Sequence, residues 1–339
     1  EGEFYAYINE GPDGYETVEW AAAQPFSNGD VGTFGASYFA ATQNALAAER
    51  PPHLKAMFQR VGSSHYWLDG AGSGGAFALR HNLAYALYLA STGQEADRQP
   101  GLKTILQAAL QPNNLAAWLW AYPYRPHGSP LELVPSYQRW FQDWVDHSDL
   151  DDYWTQNGYA FEPYFDNFPD IPVYFVGGWY DIFLRGTLKG YSMLSAIQSS
   201  EKRLLVGPWT HYVGPQTSGD VDFGVDAVID LEAEQLRWFD HILKGEENGV
   251  LDAPATVYVV NDGWRDLADW PPPEIAALRR DMRAVLASPQ GGPITPQTLV
   301  EAVHAAAPAG TQITVDAGAS LQYDRAADIE RGVVSGDLR

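Results

Sequence analysis

Ser37, Asp181 and His211 are of the types that acyl transfer through a nucleophile requires, and each closes a strand-like run. Ser37 stands in "DVGTFGASYFAATQ", residues 30 to 43. A β-prone run (Val31, Thr33, Phe34) leads in, and helix formers (Ala40, Ala41, Gln43, Ala45, Leu46) lead out. Strand, tight turn with serine at its tip, then helix is a shape that exposes a hydroxyl for attack. Asp181 closes "IPVYFVGGWYD" (171–181), and His211 closes "KRLLVGPWTH" (202–211). A serine hydroxyl is a weak nucleophile until an imidazole takes its proton. The imidazole in turn needs a carboxylate to hold its tautomer and offset its charge. Each residue taken alone has a structural reading. Ser37 and Asp181 are good helix N-caps, and His211 could be a hydrogen-bonded structural histidine. Asp166 and Asp170 are carboxylates that could replace Asp181 as the orienting group. Taken together, three strand ends in the order Ser, Asp, His favour a catalytic triad. The backbone N–H of Tyr38, which follows the serine, is then the expected oxyanion donor.

Strands near 31–35, 172–177 and 203–207 must lie side by side for these residues to meet. The order Ser, Asp, His is that of the α/β hydrolases and differs from those of chymotrypsin and subtilisin. The expected fold is α/β: a mostly parallel sheet with flanking helices. Residues 15–23 read as weakly helical, and "SNGD" (27–30) as the turn ahead of the serine strand. From about 65 to 165, patches such as "AFALRHNLAYALYLA" and "YQRWFQDWVD" alternate with Pro and Gly, without β-branched runs. This helical insertion sits where the fold accepts a cap. "LEAEQLRWFDHILKG" (231–245) is an amphipathic helix stopped by Gly245. After Pro254 short strands such as "ATVYVV" suggest a β-domain, while 275–339 is rich in alanine and proline. The expected domains are therefore 1–64 with 166–250 (catalytic), 65–165 (helical cap) and 251–339 (C-terminal β-domain).

At 339 residues with 45% hydrophobic and 13% aromatic content, the chain can bury several cores. Its net charge of −22 opposes binding to nucleic acid, whose phosphates would repel it. No uninterrupted apolar run of about 18 residues indicates a membrane span. The absence of cysteine rules out disulfides, thiolate metal sites and a cysteine nucleophile, and suits cytoplasmic and disulfide-free secreted proteins alike. Histidines 53, 65, 81, 127, 147, 241 and 304 lack the H-E-x-x-H pairing of a zinc hydrolase. "GAGSGG" (70–75) matches G-x-G-x-x-G in form, but no buried strand precedes it, so it is not read as a dinucleotide site. The acidic clusters 146–152 and 220–226 lack the EF-hand pattern and read as solvated loops. No metal or cofactor is expected. Most aromatics of the insertion (Tyr66, Trp67, Trp118, Trp120, Tyr122, Tyr124, Trp154) read as helical core. Some should line a pocket between cap and catalytic domain, and Tyr38, Trp67 and Trp154 are the candidate substrate-binding side chains.

Several blocks together resemble the X-Pro dipeptidyl-peptidase / cocaine esterase (CocE/NonD) family of serine hydrolases. They are "EGEF", "SNGDVGTFGASYFAATQ", "WVDHSDLDDYW", "IPVYFVGGWYDIFLRGTL", "KRLLVGPWTH" and "LRWFDHILKGEENGVLDAPATVYVVNDGWRDLADWPPP". The resemblance spans residues 1 to 274 in scattered blocks. It implies an α/β-hydrolase domain, a helical cap and a C-terminal jelly-roll β-sandwich, with the family's triad at Ser37, Asp181 and His211. Two departures stand out. The family usually has glycine where this chain has Ala40, a methyl group expected to tighten helix–strand packing. The 36 residues ahead of Ser37 are too few for the family's first strands, which also supply a tyrosine hydroxyl as second oxyanion donor. The chain thus reads as incomplete at its N-terminus, with an unpaired sheet edge through which it should self-associate. The expected function is cleavage of an ester or amide of a small acyl substrate through an acyl-enzyme. X-Pro dipeptidyl-peptidase and α-amino-acid ester hydrolase activity are alternatives within the family. A non-catalytic, hydrolase-like ligand-binding protein is the alternative of another class.

Overall fold

Six strands form the central sheet of the computed structural model, which describes residues 4–73, 76–120 and 129–272. In chain order the strands are β1 (Val31–Ala36), β2 (Leu54–Arg60), β3 (Gly72–Ser73), β4 (Ala76–Phe77), β5 (Val173–Gly178), β6 (Lys202–Gly207), β7 (Thr217–Ser218), β8 (Val221–Asp222), β9 (Ala255–Val259) and β10 (Gly263–Leu267). The helices are α1 (Glu10–Ala22), α2 (Tyr38–Ala48), α3 (Tyr66–Asp69), α4 (Leu79–Thr92), α5 (Gln94–Asp97), α6 (Leu102–Ala109), α7 (Pro112–Trp120), α8 (Pro135–Asp146), α9 (Leu184–Ile197) and α10 (Leu231–Lys244). The sheet order is β1-β2-β5-β6-β9-β10, parallel except for the β9–β10 hairpin. The pairs β3–β4 and β7–β8 stand outside it.

Alternation along the strands sends side chains to both faces. On one face Thr33 donates to Gln43 of α2 at 3.1 Å, and Phe175 meets Tyr191 of α9 edge-on at 6.1 Å. On the other face Phe58, Tyr174, Val176 and Leu205 are buried with Trp238 of α10. Each fully buried aromatic of this kind contributes on the order of 2–3 kcal/mol. The result is a helix–sheet–helix sandwich, whose strands are buried on both faces as parallel sheets require. α10 ends as its sequence implies. Asp230 accepts from Ala233 N–H at 3.0 Å, and Gly245 takes φ 73° beyond the last turn.

β2 carries no β-branched signature in "LKAMFQR" and was not anticipated as a strand. It forms because it lies between β1 and β5, with parallel partners on both sides. The C-terminal boundary is corrected too. The strands that were expected to open a β-domain after 251 extend the central sheet instead, with Leu204, Leu205 and Val206 of β6 opposite Ala255, Thr256 and Val257 of β9. An apolar alternating strand reads alike in either sheet; the pairing with β6 decides. The chain divides into units 1–267 and 268–339. Of the jelly-roll-like domain expected over 251–339, residues 273–339 lie outside the described residues. Between β2 and β5 the described residues are mainly helical, from α3 to α8. Among the described residues no helix is long and apolar enough to cross a membrane.

Candidate active site

Ala36, Arg60, Val176 and Leu205 lie in register across β1, β2, β5 and β6. Ser37, Asp181 and His211 therefore all follow the carboxyl ends of parallel strands, on one edge of the sheet. This is where open α/β sheets place their ligand sites.

Ser37 has φ 60° and ψ −118°, outside the regions open to ordinary L-residues. Such a conformation costs on the order of 1–3 kcal/mol and needs surroundings that hold it. Ser37 N–H donates to Arg60 O at 2.9 Å, while its carbonyl accepts from Ala40 and Ala41 N–H at 2.9 and 3.2 Å. Gly35 is a glycine of necessity, because a Cβ there would run into the Phe39 side chain. Ser37 occupies the N-cap of α2, yet its side chain makes no capping bond. Its hydroxyl is thus left over from the helix. The N–H of Tyr38 begins α2, where helix N–H groups lack an intrahelical acceptor.

The loops after β5 and β6 are bound to each other. Trp179 N–H donates to Gly207 O and Tyr180 N–H to Trp209 O, both at 2.9 Å. A side chain on Gly178 would collide with the Trp209 carbonyl, so the glycine permits this approach. The result is a 2.7 Å hydrogen bond between His211 Nδ1 and Asp181 Oδ1. A carboxylate can only accept, so Nδ1 carries the proton and Nε2 is free to take one. The Asp181 side chain is fully buried whereas that of His211 is 33% exposed, which leaves the imidazole reachable from solvent. Among the described residues Asp181 Oδ2 is buried without a hydrogen-bond partner, and the carboxylate's side-chain bond is to His211. Neither Ser37 nor Asp181 spends its side chain on a helix cap. Among the described residues no hydrogen bond joins the Ser37 hydroxyl to His211. Phe183 lies edge-on to His211 at 5.5 Å and to His81 of α4 at 6.5 Å. Desolvation, and beyond it the neighbouring His211, pushes the His81 imidazole below its ordinary value.

The other expected site residues are placed differently. The Trp154 ring is enclosed, 1% exposed, among Trp144, Tyr153 and Tyr159, with its Nε1–H donating to His147 O at 2.6 Å. It is a core residue here, because the aromatics of the turns after α8 pack on one another and on Trp144 of α8. Trp67, partly exposed, donates to Ser148 O at 3.1 Å, so it holds the same loop. The Tyr38 ring stacks on Tyr7 at 4.2 Å, and its hydroxyl donates to Glu10 Oε1 at 2.6 Å. Asp170 is bonded to Ser199 and Ser200 ahead of β6, at the end of the sheet remote from His211.

A polar cluster escaped the sequence reading. Arg185, on the first turn of α9, donates to Glu162 at 2.8 Å, Asp69 at 3.0 Å and Ser64 at 3.3 Å. Burial pushes the Asp69 carboxyl up to about 6, against the pull of Ser63 and Arg185. The cluster joins α9, just after Asp181, to segments of the helical insertion. No local pattern announces it, since its members lie far apart in the chain.

Residues 1–213 match the X-Pro dipeptidyl-peptidase (S15) family. The chain belongs to that family. Among curated proteins it is similar to the cocaine esterase of Rhodococcus sp. (strain MB1 Bresler), 28% identical over 288 residues that cover 81% of this chain and 48% of the relative. The chain thus spans about half the length of the curated relatives it matches. Two solved structures share the fold. A CocE/NonD family hydrolase from Staphylococcus aureus has TM-score 0.51 and 23% identity, covering 80% of this chain and 40% of that one. An α-amino acid ester hydrolase has TM-score 0.55 and 19% identity, covering 78% and 43%. Membership in the S15 family and the mostly parallel sheet agree with the α/β-hydrolase architecture expected from the three strand ends.

Proposed function

We propose that this chain carries the catalytic centre of a serine hydrolase that cleaves an ester or amide of a small acyl substrate. The observation that carries the reading is the 2.7 Å bond from His211 to buried Asp181, on the same sheet edge as a serine held at φ 60°. Ser37 Oγ attacks the carbonyl carbon as its proton passes to His211 Nε2. Asp181 stabilises the imidazolium, and the Tyr38 N–H donates to the oxyanion. Collapse of the tetrahedral intermediate breaks the bond to the leaving alcohol or amine, which takes the proton from His211. Water, giving its proton to His211, then attacks the acyl-enzyme and releases the acid. Every proton in this cycle has a carrier among these residues, so no cofactor or metal enters it.

Ester or acyl-amide substrates lead over X-Pro peptides. A dipeptidyl-peptidase must hold a free terminal amine, and the carboxylates Glu10, Asp69 and Glu162 are already engaged by Tyr38 and Arg185. The activity of the cocaine esterase to which the chain is similar points the same way. A fluorophosphonate should label the wild-type protein and leave Ser37→Ala unlabelled. A panel of chromogenic esters, anilides and X-Pro anilides would then rank substrates. An unlabelled wild-type protein would instead support a hydrolase-like ligand-binding role.

A further inference from the structure

Tyr38 offers its N–H at the first position of α2, but its side chain runs away from the serine into a fixed set of contacts. The phenol donates to Glu10 Oε1 at 2.6 Å and accepts from the Tyr7 N–H at 2.9 Å. Its ring stacks on Tyr7 at 4.2 Å, and Tyr7 lies 4.2 Å from Tyr66 on its own account. Tyr7 is buried and has φ 70°, a left-handed conformation that a bulky residue adopts only under constraint. Glu10 opens α1, which packs along α2. Burial, reinforced by the Glu10 carboxylate, pushes the Tyr38 phenol well above its ordinary value, so it keeps the proton it donates.

We propose that Glu10 and Tyr7, acting through the Tyr38 phenol, are positioning residues for the oxyanion-binding N–H; this rests on the hydrolase reading. The direction of that N–H is set by the peptide between Ser37 and Tyr38. The serine side of the peptide is held by Arg60 O and by the Ala40 and Ala41 N–H groups. The Tyr38 N–H, at the first position of the helix, has no intrahelical acceptor to hold it. The phenol supplies the anchor from the side chain, tying Tyr38 to the start of α1 and to the segment before it. An oxyanion donor works at about 2.7–3.1 Å from the developing charge, and a misplacement of about 1 Å can cost 10²-fold in rate. Because the brace acts on a group used only in the transition state, its loss should fall on kcat and not on KM.

The test uses the full chain with Tyr38→Phe, Glu10→Leu and Glu10→Gln. Three quantities are measured: the rate of fluorophosphonate labelling, kcat and KM for p-nitrophenyl butyrate, and inhibition by phenylboronic acid, whose serine adduct mimics the tetrahedral intermediate. Tyr38→Phe and Glu10→Leu should lower kcat by about 10–100-fold with KM unchanged, and weaken boronic acid inhibition by a similar factor. Glu10→Gln keeps an oxygen that accepts the phenol's bond and should stay within about threefold of wild type. A merely structural brace would lower Tm without this split between substrate and intermediate mimic. If Glu10→Leu fails to fold, Tyr38→Phe decides, since it deletes a single oxygen atom. A labelled wild-type protein with Tyr38→Phe equally fast, or with its loss carried in KM, overturns the brace alone. A wild-type protein that fluorophosphonate does not label overturns the hydrolase reading beneath it.

Discussion

Gly62 faces Ala40 so closely that a Cβ on Gly62 would lie 2.9 Å from the Ala40 methyl. Ala40 is itself fully buried on the first turn of α2, and its N–H bonds the Ser37 carbonyl. The methyl that departs from the family pattern is thus accommodated by a residue without a side chain just beyond β2.

This contact makes Gly62→Ala a test of how tightly the nucleophile turn is packed. Overpacking costs about 1–3 kcal/mol, and the shift should reach Ser37 through Ala40 and lower turnover. Adding Ala40→Gly to Gly62→Ala should restore much of both. Urea unfolding and p-nitrophenyl butyrate turnover of the four proteins measure the coupling. Losses that simply add in the double variant would show that the two sites do not meet.

Asp181→Asn should lower turnover by about 10⁴-fold, because an amide can donate to Nδ1 and favour the wrong histidine tautomer. Asp170→Asn should leave turnover near wild type, since Asp170 serves Ser199 and Ser200. Steady-state kinetics with the same ester compare the two. A fast Asp181→Asn protein would move the orienting role to another carboxylate.

Asp69 should give the stability a recognisable dependence on pH. Its carboxyl is raised from 3.8 to about 6 by burial. Between pH about 4 and 6 the folded chain keeps a proton that the unfolded chain has released, so stability falls as pH rises through that window and is flat above it. The full effect is about 3 kcal/mol. Acidification also relieves the repulsion of a chain with net charge −22, so the comparison must be with Asp69→Asn. Melting curves at pH 5 and 7 should show wild type losing more than Asp69→Asn on going to pH 7. Identical pH slopes for the two proteins would contradict the shift.

Among the described residues β1 pairs only with β2, and Phe34 on it is 60% exposed. Open strand edges invite pairing with other chains, and a lysine on such an edge opposes it. The 339-residue chain expressed alone should therefore self-associate, and Phe34→Lys should shift it toward monomer in analytical ultracentrifugation. A wild-type monomer at high concentration would show that the edge is harmless.

Several elements were legible because they are written in local spacing. The serine turn needs a strand, a small residue and a helix in succession, all within 30–43. The glycines of β5 and β6 and the polar residues after them marked two more strand ends. The Gly245 stop marked the end of α10. Helical patches in the insertion appear as α4 and α8. Local pattern therefore dictates the kind and order of these segments, since period and turn chemistry act over a few residues. Partnership was decided only in the folded chain. β2 is a strand because two strands flank it, and β9 joins the central sheet because β6 is beside it. Trp154 is core because three other rings enclose it. The bond from Tyr38 to Glu10 spans 28 positions and that from Arg185 to Asp69 spans 116. No local pattern encodes such pairs, because their geometry exists only once the sheet and the helical insertion have packed.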